Sequence, residues 1–227
     1  MNNAVRIGIL GGTLDPIHVG HLDAASAARE ALSLDRVLII PSHIPPHRSE
    51  PVSSPFHRFA MAALAVNGIE GLEVSDLELA APGPSYTADT LLRIAAHLGL
   101  APAQIFFIIG ADAFAEIATW SRYPAVLDLA HFVVVSRPGM SLPSLRQQLP
   151  ELKHRMRLAR RQRAEEAAGT VIFLVDAPTA DVSSTAVRQR IAEGGRLSGM
   201  VPPAVESHIL QHGLYRHRVD GRLIAHG

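Results

Sequence analysis

Short, continuously apolar runs alternate with longer segments of helical spacing along this chain of 227 residues. The predicted strands cover residues 5–10, 36–40, 72–75, 104–109, 131–136 and 170–175. The predicted helices cover residues 22–32, 56–66, 88–98, 113–119, 184–193 and 202–212. Buried strands that alternate with helices are typical of a parallel sheet covered on both faces. We therefore predict an α/β fold with a doubly wound parallel sheet.

The length of the chain allows one large domain or two small ones, at about 150 residues per domain. We expect a single domain over residues 1–227, with a Rossmann-like core over residues 1–182 that carries helices on both faces of its sheet. The remaining residues, 183–227, are expected to form a small C-terminal helical part. A basic insertion is expected near residues 141–169, where the segment 153–166 is predicted to be a solvated helix.

Composition excludes several classes of protein. A hydrophobic fraction of 48% and a charged fraction of 19% favour a buried core over disorder. The 21 basic and 21 acidic residues balance, which argues against a duplex-DNA-binding protein. The absence of cysteine excludes disulfides, thiolate zinc sites and cysteine nucleophiles. No apolar run approaches the roughly 20 residues of a membrane span, and no secretory signal pattern is present. We expect a cytoplasmic protein with no membrane or nucleic-acid partner.

The loop after the first predicted strand, GGTLDPIHVGHL at residues 11–22, has the features of an anion site. Gly11 and Gly12 allow the backbone to approach a ligand closely. His18 and His21 are three residues apart and share one face of a helix's first turn, where unpaired N–H groups and the helix dipole favour phosphate. Ligands of doubly wound sheets bind at such strand ends.

Two other segments have polar groups at positions suited to ligand binding. Ser183 and Ser184 precede a predicted helix and can cap it, and Arg188 lies one turn after Ser184 on the same face. A capped helix N-terminus with an arginine one turn along is a second candidate anion site. Asp112 follows a strand that ends near Gly110, where it could accept hydrogen bonds from ribose hydroxyls or act as a helix N-cap.

The glycine-rich segment at residues 11–22 resembles a motif of a known family. GGTLDPIHVGHL is similar to the GGTFDPIHxGHL motif of nucleotidylyltransferases, and most closely to that of the nicotinate-nucleotide adenylyltransferase family. Further segments resemble that family's motifs in the same order along the chain: PSHIPPHR (41–48), SYTADTL (85–91), GADAFAEIATW (110–120), FVVVSRPG (132–139), VSSTAVRQRI (182–191) and MVPPAVESHILQHGLY (200–215). The departures are Leu14 where the family has Phe, Arg48 where it has Lys, and the longer basic stretch at 141–169. Arg48 keeps the charge.

The resemblance implies transfer of the adenylyl group of ATP, carried with Mg²⁺, to nicotinate mononucleotide. The products are nicotinate adenine dinucleotide and pyrophosphate. The implied catalytic residues are His18, His21 and Arg188. The implied ATP-binding residues are Gly11, Gly12, Thr13, His18, His21, Gly110, Asp112, Ser183, Ser184, Thr185 and Arg188. The implied mononucleotide-binding residues are Thr13, His47, Arg48, Tyr86, Thr87, Asp112, Trp120 and Arg137.

Other functions are compatible with parts of this pattern. A related adenylyltransferase could act on nicotinamide mononucleotide or phosphopantetheine, but SYTADTL and PPHR favour the nicotinate substrate. A non-catalytic nucleotide sensor would be expected to lose His21 or the Ser-Ser-Thr and Arg188 group, and both are present. RNA binding through residues 153–163 is a third alternative. The sequence leaves the oligomeric state open.

Overall fold

Seven parallel strands form the central sheet of the computed structural model, which describes residues 4–46, 52–81, 83–139, 142–159, 169–216 and two short strands at 218–219 and 222–223. The strands of the sheet are β1 (Ile7–Gly12), β2 (Arg36–Pro41), β3 (Leu72–Val74), β4 (Ile105–Gly110), β5 (His131–Val135), β6 (Met156–Leu158) and β7 (Ile172–Val175). Their spatial order is β3-β2-β1-β4-β5-β7-β6. The two short strands, Arg218–Val219 and Arg222–Leu223, pair only with each other, in antiparallel fashion.

The helices are α1 (Val19–Leu32), α2 (Pro55–Val66), α3 (Thr87–Leu98), α4 (Ala111–Phe114), α5 (Leu142–Gln148), α6 (Ser184–Ala192) and α7 (Pro203–Gln211). Short 3₁₀ helices lie at Pro102–Gln104, Ile117–Thr119, Ala125–Asp128 and Pro150–Arg155. None of the helices in the described ranges is both long enough and apolar enough to cross a bilayer.

The sheet has two buried faces, as the apolar strands predicted. Val37 and Ile39 of β2 face a core shared with α1, α2, α6 and α7. Leu38 and Ile40, the alternate residues of the same strand, face a second core shared with α3, α4 and α5. The chain runs outward from β1 through β2 to β3 and then returns to the other side of β1 with β4. The switch point, where such sheets bind ligands, therefore lies between β1 and β4.

All six predicted strands are present, but the interpretation of residues 153–166 as a solvated helix is wrong for its described part. Residues 150–155 form a 3₁₀ helix, and β6 adds a parallel edge strand beside β7. Met156 is buried, whereas Arg157 and Leu158 are exposed. With one buried residue, the strand has too short an apolar pattern to be predicted from the sequence. Residues 160–168 lie outside the described ranges. The predicted helix at 113–119 is two elements, α4 and the 3₁₀ helix Ile117–Thr119, and α5 was not predicted.

A buried arginine joins α2 to the loops after β1 and β2. The Arg58 side chain is fully buried. Its guanidinium donates to the carbonyl oxygens of Ser53 (3.3 Å), Thr13 (2.8 Å), Ser42 (2.6 Å) and His43 (2.9 Å). These loops carry no regular ladder of their own, so Arg58 satisfies carbonyls that would otherwise be buried without partners.

Arg58→Met should lower the free energy of unfolding by about 3–5 kcal/mol, because it leaves buried carbonyls without donors. Arg36→Met is the matched control, since Arg36 forms a surface ion pair with Glu73 at 2.9 Å and should cost about 1 kcal/mol or less. Urea unfolding of both variants measures the difference. Equal losses would show that Arg58 contributes no more than a surface charge.

Candidate active site

A cavity of about 580 Å³ opens at the carboxyl ends of β1, β2, β4 and β5, at the switch point of the sheet. Many of the residues predicted to bind nucleotides line it: Gly11, Gly12, Thr13, His21, Tyr86, Thr87, Gly110, Asp112, Trp120 and Arg137. They come from the carboxyl ends of β1, β4 and β5, from the first turn of α1, from the N-terminal end of α3 and from the segment after α4. The fold thus brings together residues as distant in the sequence as Gly11 and Arg137.

The two histidines of the first motif are stacked at the start of α1. His18 is the N-cap, and its backbone N–H donates to Nδ1 of His21 at 3.2 Å. The two rings stack with centroids 3.7 Å apart. His21 lines the cavity, whereas His18 is 2% exposed and is not among the lining residues. Nδ1 of His18 has no hydrogen-bond partner in the part of the chain that the structure describes.

Little room is left for a side chain at Gly20, between the two histidines. A Cβ at this position would lie 3.1 Å from the Ala180 carbonyl oxygen and 3.3 Å from the His18 ring. Burial, together with the positive charge of Arg137, lowers the pKa of His18 to about 4. The His18 ring is therefore neutral at pH 7, and the positive character at this end of the cavity comes from the helix terminus and Arg137.

The loop after β1 is held in place by the buried carboxylate of Asp15, whose role was not predicted from the sequence. Asp15 is 3% exposed and accepts hydrogen bonds from the Val52 N–H (2.8 Å), the Ser53 hydroxyl (2.5 Å) and the Tyr215 hydroxyl (2.6 Å). Burial and the neighbouring Asp15 carboxylate raise the pKa of Tyr215, so its hydroxyl remains a donor. Asp15 lies within the recognised motif, which was the one available signal, but its partners lie far along the chain.

The second predicted anion site adjoins the same loop. Ser183 caps α6 by accepting from the Ala186 N–H at 3.1 Å, as predicted. Ser184 donates to the Pro16 carbonyl at 2.9 Å. Arg188 donates to the Asp15 carbonyl at 2.6 Å and to the Thr185 hydroxyl at 3.2 Å. These residues are not among those that line the cavity; they fasten α6 to the loop that forms one of its walls.

The opposite wall is formed by the start of α3 and by the segment after α4. Tyr86 is the N-cap of α3 and Thr87 its first residue, so backbone N–H groups of the first turn are presented there. Trp120 is half-buried, with its ring edge-on to Phe107 at a centroid distance of 6.1 Å. Trp120 therefore packs on the core and also lines the cavity.

Glu78 is a further cavity residue that the sequence analysis missed. Its buried carboxylate accepts from the Thr90 hydroxyl at 2.9 Å and from the Arg93 guanidinium at 2.7 Å. These bonds attach the segment before α3 to the body of that helix. Local sequence patterns gave no signal for this pairing, because Glu78 lies in an irregular segment.

The structure decides between the two roles predicted for Asp112 by excluding the helix N-cap. Asp112 does not cap α4, whose N-cap is Gly110; it is exposed at the cavity. A Cβ at Gly110 would lie 2.6 Å from Oδ1 of Asp112 and 3.3 Å from Arg137. The glycine therefore allows both side chains to approach the end of β4.

His47 and Arg48, predicted to bind the mononucleotide phosphate, lie outside the described residues.

Comparison with known proteins assigns the family. The cytidylyltransferase-like family profile matches residues 9–190. A probable nicotinate-nucleotide adenylyltransferase of Roseiflexus sp. is 44% identical over 217 residues, which cover 94% of this chain and all of that protein. The chain belongs to the nicotinate-nucleotide adenylyltransferase family.

Other members of the family support the assignment. A probable nicotinate-nucleotide adenylyltransferase of Chromohalobacter salexigens is 39% identical over 92% of this chain and 95% of its own length. The fold is also that of the nicotinic acid mononucleotide adenylyltransferase of Plasmodium falciparum, solved in complex with NaAD. That structure gives a TM-score of 0.71 at 16% identity, over 93% of this chain and 97% of that one.

The free energy of unfolding should fall as the pH is lowered from about 6.5 to about 4. The pKa of His18 is about 4 in the folded chain and about 6.5 when unfolded, so the unfolded chain binds a proton first. The resulting loss is about 2 kcal/mol at pH 5 for this one residue. Burial also lowers the pKa of His131 at the start of β5 to about 4, which adds a similar loss.

His18→Asn should reduce the dependence of the free energy of unfolding on pH, because the contribution of His18 is removed. His131→Asn should remove the contribution of His131 in the same way. Urea unfolding at pH 7, 6 and 5 measures the slope in each variant. The change of slope separates proton binding from any general loss of packing, which would act at every pH. A slope in His18→Asn equal to that of the unsubstituted chain would contradict the assignment of a neutral buried ring.

Proposed function

We propose that the protein catalyses the reversible reaction of ATP with nicotinate mononucleotide to give nicotinate adenine dinucleotide and pyrophosphate. The observation that carries this proposal is the cavity that has the glycine-rich loop and His21 on one side and the start of α3 and Trp120 on the other. One wall suits a phosphate chain and the other suits an aromatic ring that bears a negative charge. The family relationship supports the same reaction.

The reaction needs positioning more than acid–base chemistry. A phosphate oxygen of the mononucleotide forms a bond to the α-phosphorus of ATP, and the bond from that phosphorus to the β-bridging oxygen breaks. The attacking phosphate has a second pKa of about 6, so it is largely dianionic at neutral pH and requires no general base. The protein then contributes in-line alignment and stabilisation of charge on the transferred group.

His21 is the proposed donor to the α-phosphate. Because Nδ1 of His21 accepts the His18 backbone N–H, Nδ1 carries a lone pair and Nε2 carries the proton in the neutral ring. Nε2–H can donate to a phosphate oxygen while the ring remains neutral. The buried His18 ring stacks against the His21 ring. We propose that the predicted catalytic role of His18 is exerted through His21, whose orientation it would hold.

The remaining predicted residues are proposed to divide between the two substrates. Ser183, Ser184, Thr185 and Arg188 would bind the β- and γ-phosphates and stabilise the leaving pyrophosphate. Asp112 would accept from ribose hydroxyls, with the backbone at Gly110 beside it. Arg137, with His47 and Arg48, would bind the mononucleotide phosphate. The first-turn N–H groups near Thr87 would bind the nicotinate carboxylate, with Tyr86 and Trp120 against the pyridine ring.

Mg²⁺ fits this site as part of the ATP complex. Among the described residues, the only group of three or more potential metal ligands close together is a histidine cluster, which does not line the cavity. Mg²⁺ prefers oxygen ligands and commonly keeps several waters while it binds substrate phosphates. When bound, it neutralises phosphate charge; ATP oxygens and water would hold it, and the protein would contribute the surrounding donors.

The acid and amide forms of the mononucleotide should differ as substrates. If N–H groups near Thr87 bind a carboxylate, a charge-assisted hydrogen bond of about 1.5–3 kcal/mol favours nicotinate over nicotinamide mononucleotide by at least about tenfold in kcat/KM. Pyrophosphate release from ATP, measured with each mononucleotide and with phosphopantetheine, tests this. Turnover of phosphopantetheine alone would overturn the proposed function, and equal kcat/KM for acid and amide would overturn the carboxylate contact.

His21→Ala should lower kcat by about 100-fold or more and change KM for ATP much less, because the donor acts on charge that develops in the transition state. His97→Ala is the matched control, since His97 is exposed on α3 and should retain full activity. Steady-state kinetics of both variants, with circular dichroism to verify folding, provide the comparison. A near-normal kcat in folded His21→Ala would make His21 a structural residue.

Trp120 should report directly on mononucleotide binding. It is the only tryptophan of the chain, so quenching of intrinsic fluorescence by nicotinate mononucleotide should be saturable, and ATP alone should quench much less. Trp120→Ala should weaken mononucleotide binding by about 1–3 kcal/mol through lost stacking, measured by calorimetry, and leave ATP binding nearly intact. Trp120→Phe should retain most of the affinity. Unchanged emission together with normal binding by Trp120→Ala would assign Trp120 to the core alone.

A further inference from the structure

Three histidines converge outside the cavity, where α2 packs against α7. His57 lies in the first turn of α2, His208 lies in α7, and His212 is the C-cap of α7. Each offers one ring nitrogen, and these three atoms all lie within 4.8 Å of one another. His208 and His212 are four residues apart and therefore share one face of the helix end. None of the three lines the cavity described above.

The closest pair of nitrogens already has the spacing of two ligands of one metal ion. Nδ1 of His57 and Nε2 of His208 are 3.1 Å apart. Two imidazole nitrogens at about 2.0–2.1 Å from a tetrahedral ion are about 3.3 Å from each other. The His212 ring is exposed, with its centroid 4.4 Å from that of His208, and its ligand nitrogen lies within 4.8 Å of the other two.

The backbone that carries the cluster is fixed before any ion binds. Val205 and Ile209 of α7 are buried in the same core as Met61 and Ala62 of α2. Formation of the site therefore requires little reorganisation beyond the His212 side chain.

From this geometry we infer that His57, His208 and His212 form a binding site for a borderline transition-metal ion of the Zn²⁺ type. Three imidazole ligands suit Zn²⁺, Co²⁺, Ni²⁺ or Cu²⁺, whereas Mg²⁺ and Ca²⁺ prefer oxygen ligands. A fourth, open position on the exposed side would hold water. The ion would clamp the end of α7 to the first turn of α2.

An ion at this position would stabilise the structure beside the cavity. Ser53 lies four residues before His57 and donates to Asp15. Arg58 directly follows His57 and donates to the carbonyls of Thr13 and Ser42. An ion at the cluster thus stabilises the helix that supports the phosphate-binding loop while remaining outside the cavity. An ion that binds only the folded chain raises its Tm.

The test uses the full chain, purified without affinity-tag histidines, stripped with a chelator and titrated with Zn²⁺ and, separately, with Co²⁺. We expect one equivalent of Zn²⁺ per chain by calorimetry and the intense visible absorption of four-coordinate Co²⁺. Metal at about 100 times its Kd should raise Tm by about 5–10 °C for a chain of this length.

Matched variants identify the site. His57→Gln, His208→Gln and His212→Gln should each lose most of the metal-dependent rise in Tm and the Co²⁺ spectrum, whereas His97→Gln should keep both. The rise is measured within each variant, so a change in metal-free Tm does not affect the result. His212 is exposed, and its substitution should leave the fold intact. Absence of saturable binding, or unchanged binding in His212→Gln, would overturn the inference.

Discussion

The loop after β1 lies beside the cavity and has no ladder of its own to satisfy its polar groups. Two buried ionisable side chains hold it instead. Arg58 binds the Thr13 carbonyl, and Asp15 binds the Ser53 and Tyr215 hydroxyls. The loop is thereby tied to α2 and to the C-terminal tail at the same time. The arrangement of the cavity depends on these contacts, because they fix the backbone on which His18 and His21 are placed.

Further hydrogen bonds attach the residues after position 182 to the same loop. Arg188 donates to the Asp15 carbonyl, Ser184 donates to the Pro16 carbonyl, and the Val19 N–H donates to the Met200 carbonyl. The Asp15 and Pro16 carbonyls and the Val19 N–H all lie at or just before the start of α1. A segment that is remote in sequence therefore supports the loop after β1, and loss of α6 would remove part of that support.

The sheet could be predicted from the sequence because its strands are apolar on both faces, as in Leu38 and Ile39. The edge strand β6 could not, since Met156 is its one buried residue and arginines surround it. The motif histidines and Trp120 were found through a recognisable local pattern. Arg58 was placed in a helix, but its burial depends on carbonyls at positions 13, 42 and 43 that only tertiary structure brings together. The same holds for His57 and His208, which are 151 positions apart.

The central claim is that the chain aligns two substrates for one direct displacement and supplies no covalent nucleophile. The most direct measurement is the stereochemical course at the α-phosphorus, followed with ATP that carries a chiral α-thiophosphate and with nicotinate mononucleotide as acceptor. One in-line displacement inverts the configuration, and we expect inversion. Retention would require two displacements through a covalent adenylyl-protein intermediate, and it would contradict a mechanism based on positioning alone.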